Sequence, residues 1–342
     1  MVSITNRDER IVESRRKILP PFAVEPSLCL YSPQDNVDAL HHPEVADWLE
    51  FVRHTYEPLP TSLRRVLLFL PCTATKPYVA SVEHQAINGR LFAEGFEPVA
   101  GSPTVLDELG TRFPDVDPRL LDLGPLRRGD VEIARVVMSE PLAFVPYEHL
   151  VTAPGGGPSP ATRYDDPGLF ENRGNAVSPW RADSTAEEVG VGRWRWGANE
   201  RRAYVEMHGE MAVAVADVLR RLDGAYDEVL AWVAPGLTHR SFCLARDERS
   251  EHGIAASKLV DGRRLPLVGV NDLVDPEQRI EVLPDVESCD DARARLAGRL
   301  GVSVSAANAV YARGGGGATP LALPELLDHL IVRLDEIAAV RV

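Results

Sequence analysis

The feature that most constrains the fold is an unbroken apolar run, Val66-Leu67-Leu68-Phe69-Leu70, which ends at Pro71. Apolar residues at every position, rather than at alternate ones, are typical of a strand that is buried on both faces of a parallel sheet. Further apolar patterns predict strands at 120–123, 134–138 and 228–233 and helices at 42–52, 79–94, 104–112 and 199–222. This alternation of strands and helices predicts an α/β fold, a three-layer sandwich around a mainly parallel central sheet.

The 342 residues are expected to form one α/β domain with a flanking region at each end. Residues 1–41 are mixed in character and are predicted to be an N-terminal extension, and the domain is predicted to span 42–252. Within it, 153–197 is rich in glycine and proline and is interpreted as a long insertion. Residues 253–342 are predicted to be a small, mostly helical C-terminal region, with helices at 290–300, 303–312 and 324–337 and a flexible glycine linker at 314–317.

The charge balance excludes a generally basic nucleic-acid binder. Asp and Glu number 51 against 37 Lys and Arg, a net charge of -14, so any surface for nucleic acid must be local. The local candidates are Arg193, Arg195, Arg201 and Arg202, with Trp194 and Trp196 able to stack on bases. The alternative is that this segment packs on its own domain.

Cysteine spacing and hydropathy give expectations about metal, membrane and compartment. The four cysteines are scattered and none forms a CxxC pair, so no metal site and no disulfide framework are predicted. No apolar run approaches the ~18 residues of a membrane helix, and the charged N-terminus lacks the apolar stretch of a signal peptide. We therefore expect a cytoplasmic protein without a membrane partner.

The segment after the apolar run carries the residue types that chemistry needs. Cys72 follows the strand directly, at the sheet edge where α/β proteins bind ligands, and Lys76 is one of only three lysines. Nearby backbone N–H groups and Lys76 are expected to lower the pKa of the thiol and favour the thiolate. Ser81, His84 and Asn88 share one face of the next predicted helix, and an imidazole there could relay a proton near neutral pH.

Each of these residues also has an ordinary structural explanation. A cysteine after a buried strand is most often a small core residue, and a histidine on a helix is usually a hydrogen-bonded polar group. A thiolate, an ammonium and an imidazole together could instead attack an electrophilic carbon and move protons. The sequence leaves both interpretations open.

The same segment resembles the signature of the archaeosine synthase family. Pro71-Cys72-x3-Lys76-Pro77-Tyr78, followed by Ser81 and His84, carries the resemblance. Weaker matches follow in the family's order: the helix around Trp48, the stretch that contains Glu140, the stretch with Tyr164 and Asp165, and the strand that begins after Tyr226 and Asp227. The resemblance covers about 42–246.

The resemblance implies a fold like that of uracil-DNA glycosylase and an activity on 7-cyano-7-deazaguanine in tRNA. The family joins an amine donor, such as lysine, to the nitrile, which would make this chain a transferase of tRNA modification. Cys72, Lys76 and His84 would be catalytic. The substrate-binding residues would be Pro71, Tyr78, Ser81, Asn88, Glu140, Tyr164 and Asp165.

The chain resembles the family's central domain standing alone, because no transglycosylase-like or tRNA-binding region is evident within it. We expect tRNA or another deazaguanine-containing nucleic acid as partner, together with a transglycosylase or radical-SAM partner protein, and no cofactor. The alternative function is a non-catalytic module that binds the base or a nucleic acid, or a partner subunit of a deazaguanine modification system. Whether Cys72 forms a covalent thioimide or only lines the pocket stays open.

Overall fold

The computed structural model describes residues 6–101, 103–105, 109–169, 171, 176–235, 238–314 and 319–339. The helices, numbered here in chain order, are α1 (Arg7–Lys17), α2 (Pro33–Ala39), α3 (Pro43–His54), α4 (Val82–Ala93), α5 (Ala198–Arg221), α6 (Thr238–Cys243), α7 (Val286–Leu300), α8 (Val304–Ala312) and α9 (Pro324–Ala339). The strands are β1 (Arg64–Pro71), β2 (Glu97–Pro98), β3 (Leu126–Arg128), β4 (Val131–Ser139), β5 (Ala143–Pro146), β6 (Glu187–Gly190), β7 (Arg193–Arg195), β8 (Glu228–Trp232), β9 (Ser257–Val260), β10 (Arg263–Pro266) and β11 (Glu281–Leu283).

A mixed, mostly parallel sheet of seven strands organises the molecule. Its order is β11-β8-β1-β4-β3-β2, with β5 also paired to β4. Strands β11, β8, β1 and β4 run parallel, whereas β3, β2 and β5 are added antiparallel. Because β1 and β4 pair in parallel up to Pro71 and Met138, the residues that follow these two strands emerge at the same edge of the sheet.

The two central strands are covered on both faces. Every residue of β1 except Arg64 is buried, and so is every residue of β4, which requires a layer on each side of the sheet. Helices α2 and α3 pack against α5, while α9 packs against α4 and α7. The predicted α/β class and the buried strand at 66–70 are therefore confirmed.

Local signals placed several helices correctly. Pro43 stands at the first helical position of α3, and Val45, Trp48 and Val52 are buried, as the periodicity predicts. Helix α5 matches the prediction for 199–222. Helices α7 and α8 meet at Gly301, whose φ of 67° ends α7 in the left-handed conformation that glycine tolerates best.

Other predictions were wrong or fall partly outside the described residues. The segment predicted to be extended at 120–123 instead begins in a 3-10 turn, Pro118–Leu121, because Asp117 caps that turn and proline opens it. The helix predicted at 104–112 and the linker at 314–317 lie partly outside the described residues. What is described of the first is a bridge from Thr104 to Asp122 and a 3-10 turn, Gly110–Arg112.

The flanking regions also contribute to the central structure. Strand β11 pairs with β8, so the region after 253 adds an edge strand to the sheet and also holds the β9/β10 hairpin. At the other end, Ile18 forms a parallel bridge with Lys76, beside the predicted site. Among the described residues, no helix is both long enough and apolar enough to cross a bilayer.

Candidate functional site

Cys72 lies at the carboxyl end of β1, where the sheet edge was expected to carry chemistry. Its backbone N–H donates to the carbonyl oxygen of Met138 at 3.2 Å, which continues the pairing of β1 with β4 for one more residue. Its Sγ lies 3.4 Å from Nε2 of His239, at the start of α6. Cys72 is half-buried, whereas the other cysteines, Cys29, Cys243 and Cys289, are buried.

The expectation that the surroundings of Cys72 favour the thiolate is wrong. Burial raises the pKa of the Cys72 thiol, and the charge of Glu140 raises it further. Lys76 acts in the predicted direction, but its effect is smaller than those two. The resting thiol is therefore protonated at neutral pH, and a reaction at sulfur needs a group that accepts its proton.

His239 and Glu140 complete the surroundings of the thiol. Oε2 of Glu140 lies 3.7 Å from Nε2 of His239, so the thiol and the carboxylate both approach the same ring nitrogen. Burial lowers the pKa of His239, although the charge of Glu140 and the backbone of Met138 act in the opposite direction. The imidazole is thus neutral and can accept a proton from sulfur.

Lys76 is buried, with 2% of its surface exposed. Its Nζ lies 3.9 Å from Oδ1 of Asp165 and 4.5 Å from the centre of the Tyr164 ring. Burial lowers the pKa of this amine, while Asp165 opposes the shift. These contacts hold the amine firmly in the protein, and its catalytic role stays a prediction.

Asp165 ties the N-terminal helix to the site. Its Oδ2 accepts hydrogen bonds from Ser14 Oγ at 2.7 Å and from Lys17 Nζ at 2.6 Å, both on α1. Burial alone would raise the pKa of Asp165, but Lys76 and Lys17 together lower it. Asp165 is therefore an ionised anchor for two lysines. Sequence reasoning treated 1–41 as an extension and missed Ser14 and Lys17.

The neighbouring carboxyl group, Asp166, behaves differently. Burial and the charge of Glu140 raise the pKa of Asp166 to about 8. No described residue hydrogen-bonds to its buried Oδ2. Glu140 is buried and Asp166 is half-buried, and the charge of Glu140 helps Asp166 to keep its proton at neutral pH.

His84 does not have the free imidazole that the sequence predicts. Its Nε2 lies 2.9 Å from the carbonyl oxygen of Pro71, which can only accept, so Nε2 carries the proton. Nδ1 then accepts from the hydroxyl of Tyr147. The residue is fully buried, and burial lowers its pKa to about 4. Both nitrogens are satisfied inside the core, so the structure leaves neither of them for a substrate.

Ser81 and Asn88, which were predicted to share a helix face with His84, both form hydrogen bonds within the protein. Ser81 is the N-cap of the helix and accepts from the backbone N–H of His84 at 3.2 Å. Asn88 Oδ1 accepts from the buried guanidinium of Arg135 at 2.9 Å. The predicted shared face is therefore wrong for Ser81, which precedes the helix, while His84 and Asn88 are buried in the core between α4 and β4.

Tyr78 and Tyr164 form a buried hydroxyl cluster with Ser139. The Tyr78 hydroxyl lies 3.0 Å from Ser139 Oγ, and the Tyr164 hydroxyl contacts both. Burial raises the pKa of both tyrosines, so they are neutral. Nζ of Lys76 lies 5.6 Å from the centre of the Tyr78 ring and 4.5 Å from the centre of the Tyr164 ring. The faces of these aromatic rings help to stabilise the buried amine.

Two cavities of the described residues lie away from these side chains. One cavity of about 330 Å³ is lined by residues of α2, α3 and α5, including Glu206 and Glu210. Another, of about 280 Å³, lies beside Arg181, Asp35 and Asp38. Neither is lined by Cys72.

The Arg/Trp segment is largely occupied by contacts within the chain. Trp196 is buried, and its Nε1 donates to the carbonyl oxygen of Ala176 at 2.8 Å. Trp194 is half-buried. The arginine ion pairs are Arg195 with Glu187, Arg201 with Glu171 and Arg202 with Asp261. These pairings favour the alternative in which the segment packs on its own domain, whereas Arg193 is exposed.

Comparisons with family models, curated proteins and solved structures found no match to this chain. The family resemblance seen in the sequence therefore stays a prediction. The geometry gives a site made of Cys72, His239 and Glu140, with Lys76 and Asp165 beside it.

The role of Glu140 in holding the thiol protonated can be tested by alkylation. Because Glu140 raises the pKa of Cys72, Glu140→Gln should move the pH profile of Cys72 alkylation by iodoacetamide to lower pH. Labelling would be followed by peptide mass spectrometry between about pH 6 and pH 10, in the presence of a chelator. Glu50→Gln, an exposed carboxylate on α3, is the matched control. An unchanged profile, or a shift to higher pH, would contradict the described electrostatics.

The buried, neutral state of His84 predicts an acid-sensitive fold. Its pKa is about 4 in the folded protein against a usual 6.5, so the unfolded chain binds more protons as the pH falls between these values. Between pH 7 and pH 5, the free energy of unfolding of the wild type should therefore fall by about 2 kcal/mol more than that of His84→Gln. Urea unfolding at the two pH values measures this difference. His54→Gln, on the exposed side of α3, is the control, and an equal loss in His84→Gln and wild type would refute the assignment.

Proposed function

We propose that this chain is an archaeosine-synthase-like enzyme that adds an amine, such as lysine, to the nitrile of 7-cyano-7-deazaguanine. The observation that carries the proposal is the pairing of the one cysteine that is not buried, Cys72, with a neutral imidazole, His239, at 3.4 Å. A protonated thiol beside a neutral base is the combination that adds S–H across a polar multiple bond. The motif around Cys72 supplies the expected substrate.

The reaction balances without an oxidant or reductant. The sulfur of Cys72 bonds to the nitrile carbon, and its proton passes through Nε2 of His239 to the nitrile nitrogen, which gives a thioimide. The amine then attacks the same carbon, the C–S bond breaks, and a proton from the amine returns to sulfur. The product is an amidine, and Cys72 is regenerated as a thiol. His84 has no part in this sequence, because its nitrogens are engaged elsewhere.

The acidic residues near the thiol support a cationic amine donor. The charge of Glu140 acts on Asp166, and Asp166 keeps its proton in the absence of a cation. An ammonium group placed between them would stabilise both carboxylates in their ionised form. Asp165 cannot serve in the same way, because Lys17 and Lys76 already neutralise it.

The architecture is compatible with this proposal at the level of class. A mixed, mostly parallel sheet with central strands buried on both faces is what the uracil-DNA-glycosylase-like fold would require. The site lies beyond the carboxyl ends of β1 and β4, where α/β sheets bind ligands. The internal pairing of Arg195, Arg201 and Arg202 favours a free base, or delivery of tRNA by a partner protein, over a direct grip on tRNA by this segment.

A second candidate function is the non-catalytic binding module or partner subunit. The observation that favours it is the burial of Lys76 and His84, together with cavities that open elsewhere on the protein. A module of this kind would bind the base without forming a bond to it. The two candidates therefore differ in whether any covalent adduct forms, on the protein or on the base.

The enzyme proposal predicts two measurable adducts. With 7-cyano-7-deazaguanine and lysine, free or in tRNA, mass spectrometry should detect the base with the mass of one lysine added. Without lysine, intact-protein mass spectrometry should detect the base attached to Cys72. Cys72→Ala should lower the rate by about 10³-fold or more, and His239→Gln by about 10²-fold, because the nucleophile and its proton acceptor are lost.

Cys289→Ala and His54→Gln are the matched controls and should leave the rate unchanged, since both lie outside the site. Binding of the base without either adduct would favour the module. If the base neither binds nor forms an adduct, the enzyme proposal is refuted for this substrate.

A further inference from the structure

Three different metal-ligating atoms converge at the end of β1. They are Sγ of Cys72, Nε2 of His239 and Oε2 of Glu140. The nitrogen lies 3.4 Å from the sulfur and 3.7 Å from the carboxylate oxygen, and the ligand atoms of these three residues all lie within 4.8 Å of one another. They come from the ends of β1 and β4 and from α6, so three separate elements direct them to one point.

Hydrogen bonding alone does not account for this convergence. In a thiol–imidazole–carboxylate triad, the two partners use the two different ring nitrogens, and the carboxylate orients the ring. Here the thiol and the carboxylate approach the same nitrogen, which has only one proton or one lone pair to offer. A common ion between the three atoms would use all of them at once.

The spacing suits a tetrahedral ion. Typical zinc bonds of ~2.3 Å to sulfur and ~2.0–2.2 Å to nitrogen or oxygen give tetrahedral edges of about 3.3–3.6 Å. The distances of 3.4 and 3.7 Å match these edges to within a few tenths of an ångström. Three protein ligands leave a fourth position for a water or substrate, and Cys72 is the one of the three that is not fully buried.

The charges favour a divalent cation. Glu140 is 2% exposed, and within the described ranges its ion-pair partner is His239. A thiolate and a carboxylate would together carry two negative charges, which a divalent cation neutralises. A mixed sulfur, nitrogen and oxygen set selects zinc over magnesium or calcium, which prefer oxygen ligands.

We propose that Cys72, His239 and Glu140 bind a thiophilic divalent cation, Zn²⁺, at the carboxyl edge of the sheet. The metal site does not depend on the proposed function. A consequence does rest on it: a sulfur that shares electron density with zinc is a weaker nucleophile toward a nitrile, so the metal-bound protein is the slower, resting form of the proposed enzyme.

Cobalt is the probe for the site itself. The full chain would be stripped with a chelator and titrated with Co²⁺, which should give a sulfur-to-cobalt charge-transfer band in the near ultraviolet and the intense visible bands of tetrahedral cobalt. Zn²⁺ should then displace the cobalt. Cys72→Ser should abolish the charge-transfer band. His239→Gln and Glu140→Gln should each weaken Zn²⁺ binding by more than the ~10–100-fold typical of outer-shell changes.

Cys289→Ser and Glu50→Gln are the matched controls and should bind like the wild type. Zn²⁺ should raise the melting temperature of the wild type and of these controls but not of Cys72→Ser, and circular dichroism in chelator checks that each variant is folded. Absence of the charge-transfer band, or equal Zn²⁺ affinity in Cys72→Ser, would overturn the metal site.

The adduct assay separates this proposal from the proposed function. Adduct formation in chelator, with inhibition by stoichiometric Zn²⁺, supports the metal-bound resting form. Cobalt binding without any adduct leaves the metal site standing and removes the enzyme. If activity is lost in chelator and restored by Zn²⁺, the claim that the metal-bound protein is the resting form is overturned.

Discussion

The parallel pairing of β1 with β4 is the constraint on which the site depends. It continues without interruption to Pro71 and Met138, and one further backbone hydrogen bond fixes Cys72 beside the end of β4. Glu140 lies two residues after Met138, so the register alone brings a thiol and a carboxylate to the same edge. Both strands are buried on both faces, so a one-residue slip would exchange their side chains between the two covering layers and disturb the packing of each.

A buried charge network fastens the rest of the chain to this edge. Asp165 arrives from the long segment after β5, Lys17 from α1 and Lys76 from the loop after β1. Removing the carboxylate of Asp165 would leave the buried ammonium of Lys76 without its ion-pair partner, which is far more costly than losing a surface pair. The backbone N–H of Leu19 donates to the carbonyl oxygen of Lys76, and the backbone N–H of Lys76 donates to that of Lys17. The N-terminal segment therefore helps to hold the site in place.

The parts of this structure that were predictable from sequence are those set by local pattern. The apolar run of β1 and the periodicity of α3 and α5 each follow from a few neighbouring residues. The position of Cys72 at a strand end followed from the same logic. The role of His84 did not, because periodicity shows which face of a helix is shared but not whether that face points into a core or a cleft.

His239 was missed for a different reason. It lies 167 residues from Cys72 in the chain, on a helix of six residues that has too few turns to show a period. Only the pairing of β8 beside β1 brings that segment to the thiol. The absence of a CxxC pair argued against a metal from sequence spacing. Spacing reports only ligands that share a local turn, and here each candidate ligand comes from a separate element.

The electrostatics of the site connect its two proposed states. With no cation present, burial and Glu140 keep Cys72 protonated, and the neutral ring of His239 can accept that proton during addition to a carbon. A divalent cation reverses each preference, since it stabilises the thiolate, uses the lone pair of the ring and neutralises the carboxylate. The same three side chains thus suit either a metal or a covalent bond at sulfur, and the occupant of the site determines which chemistry is available.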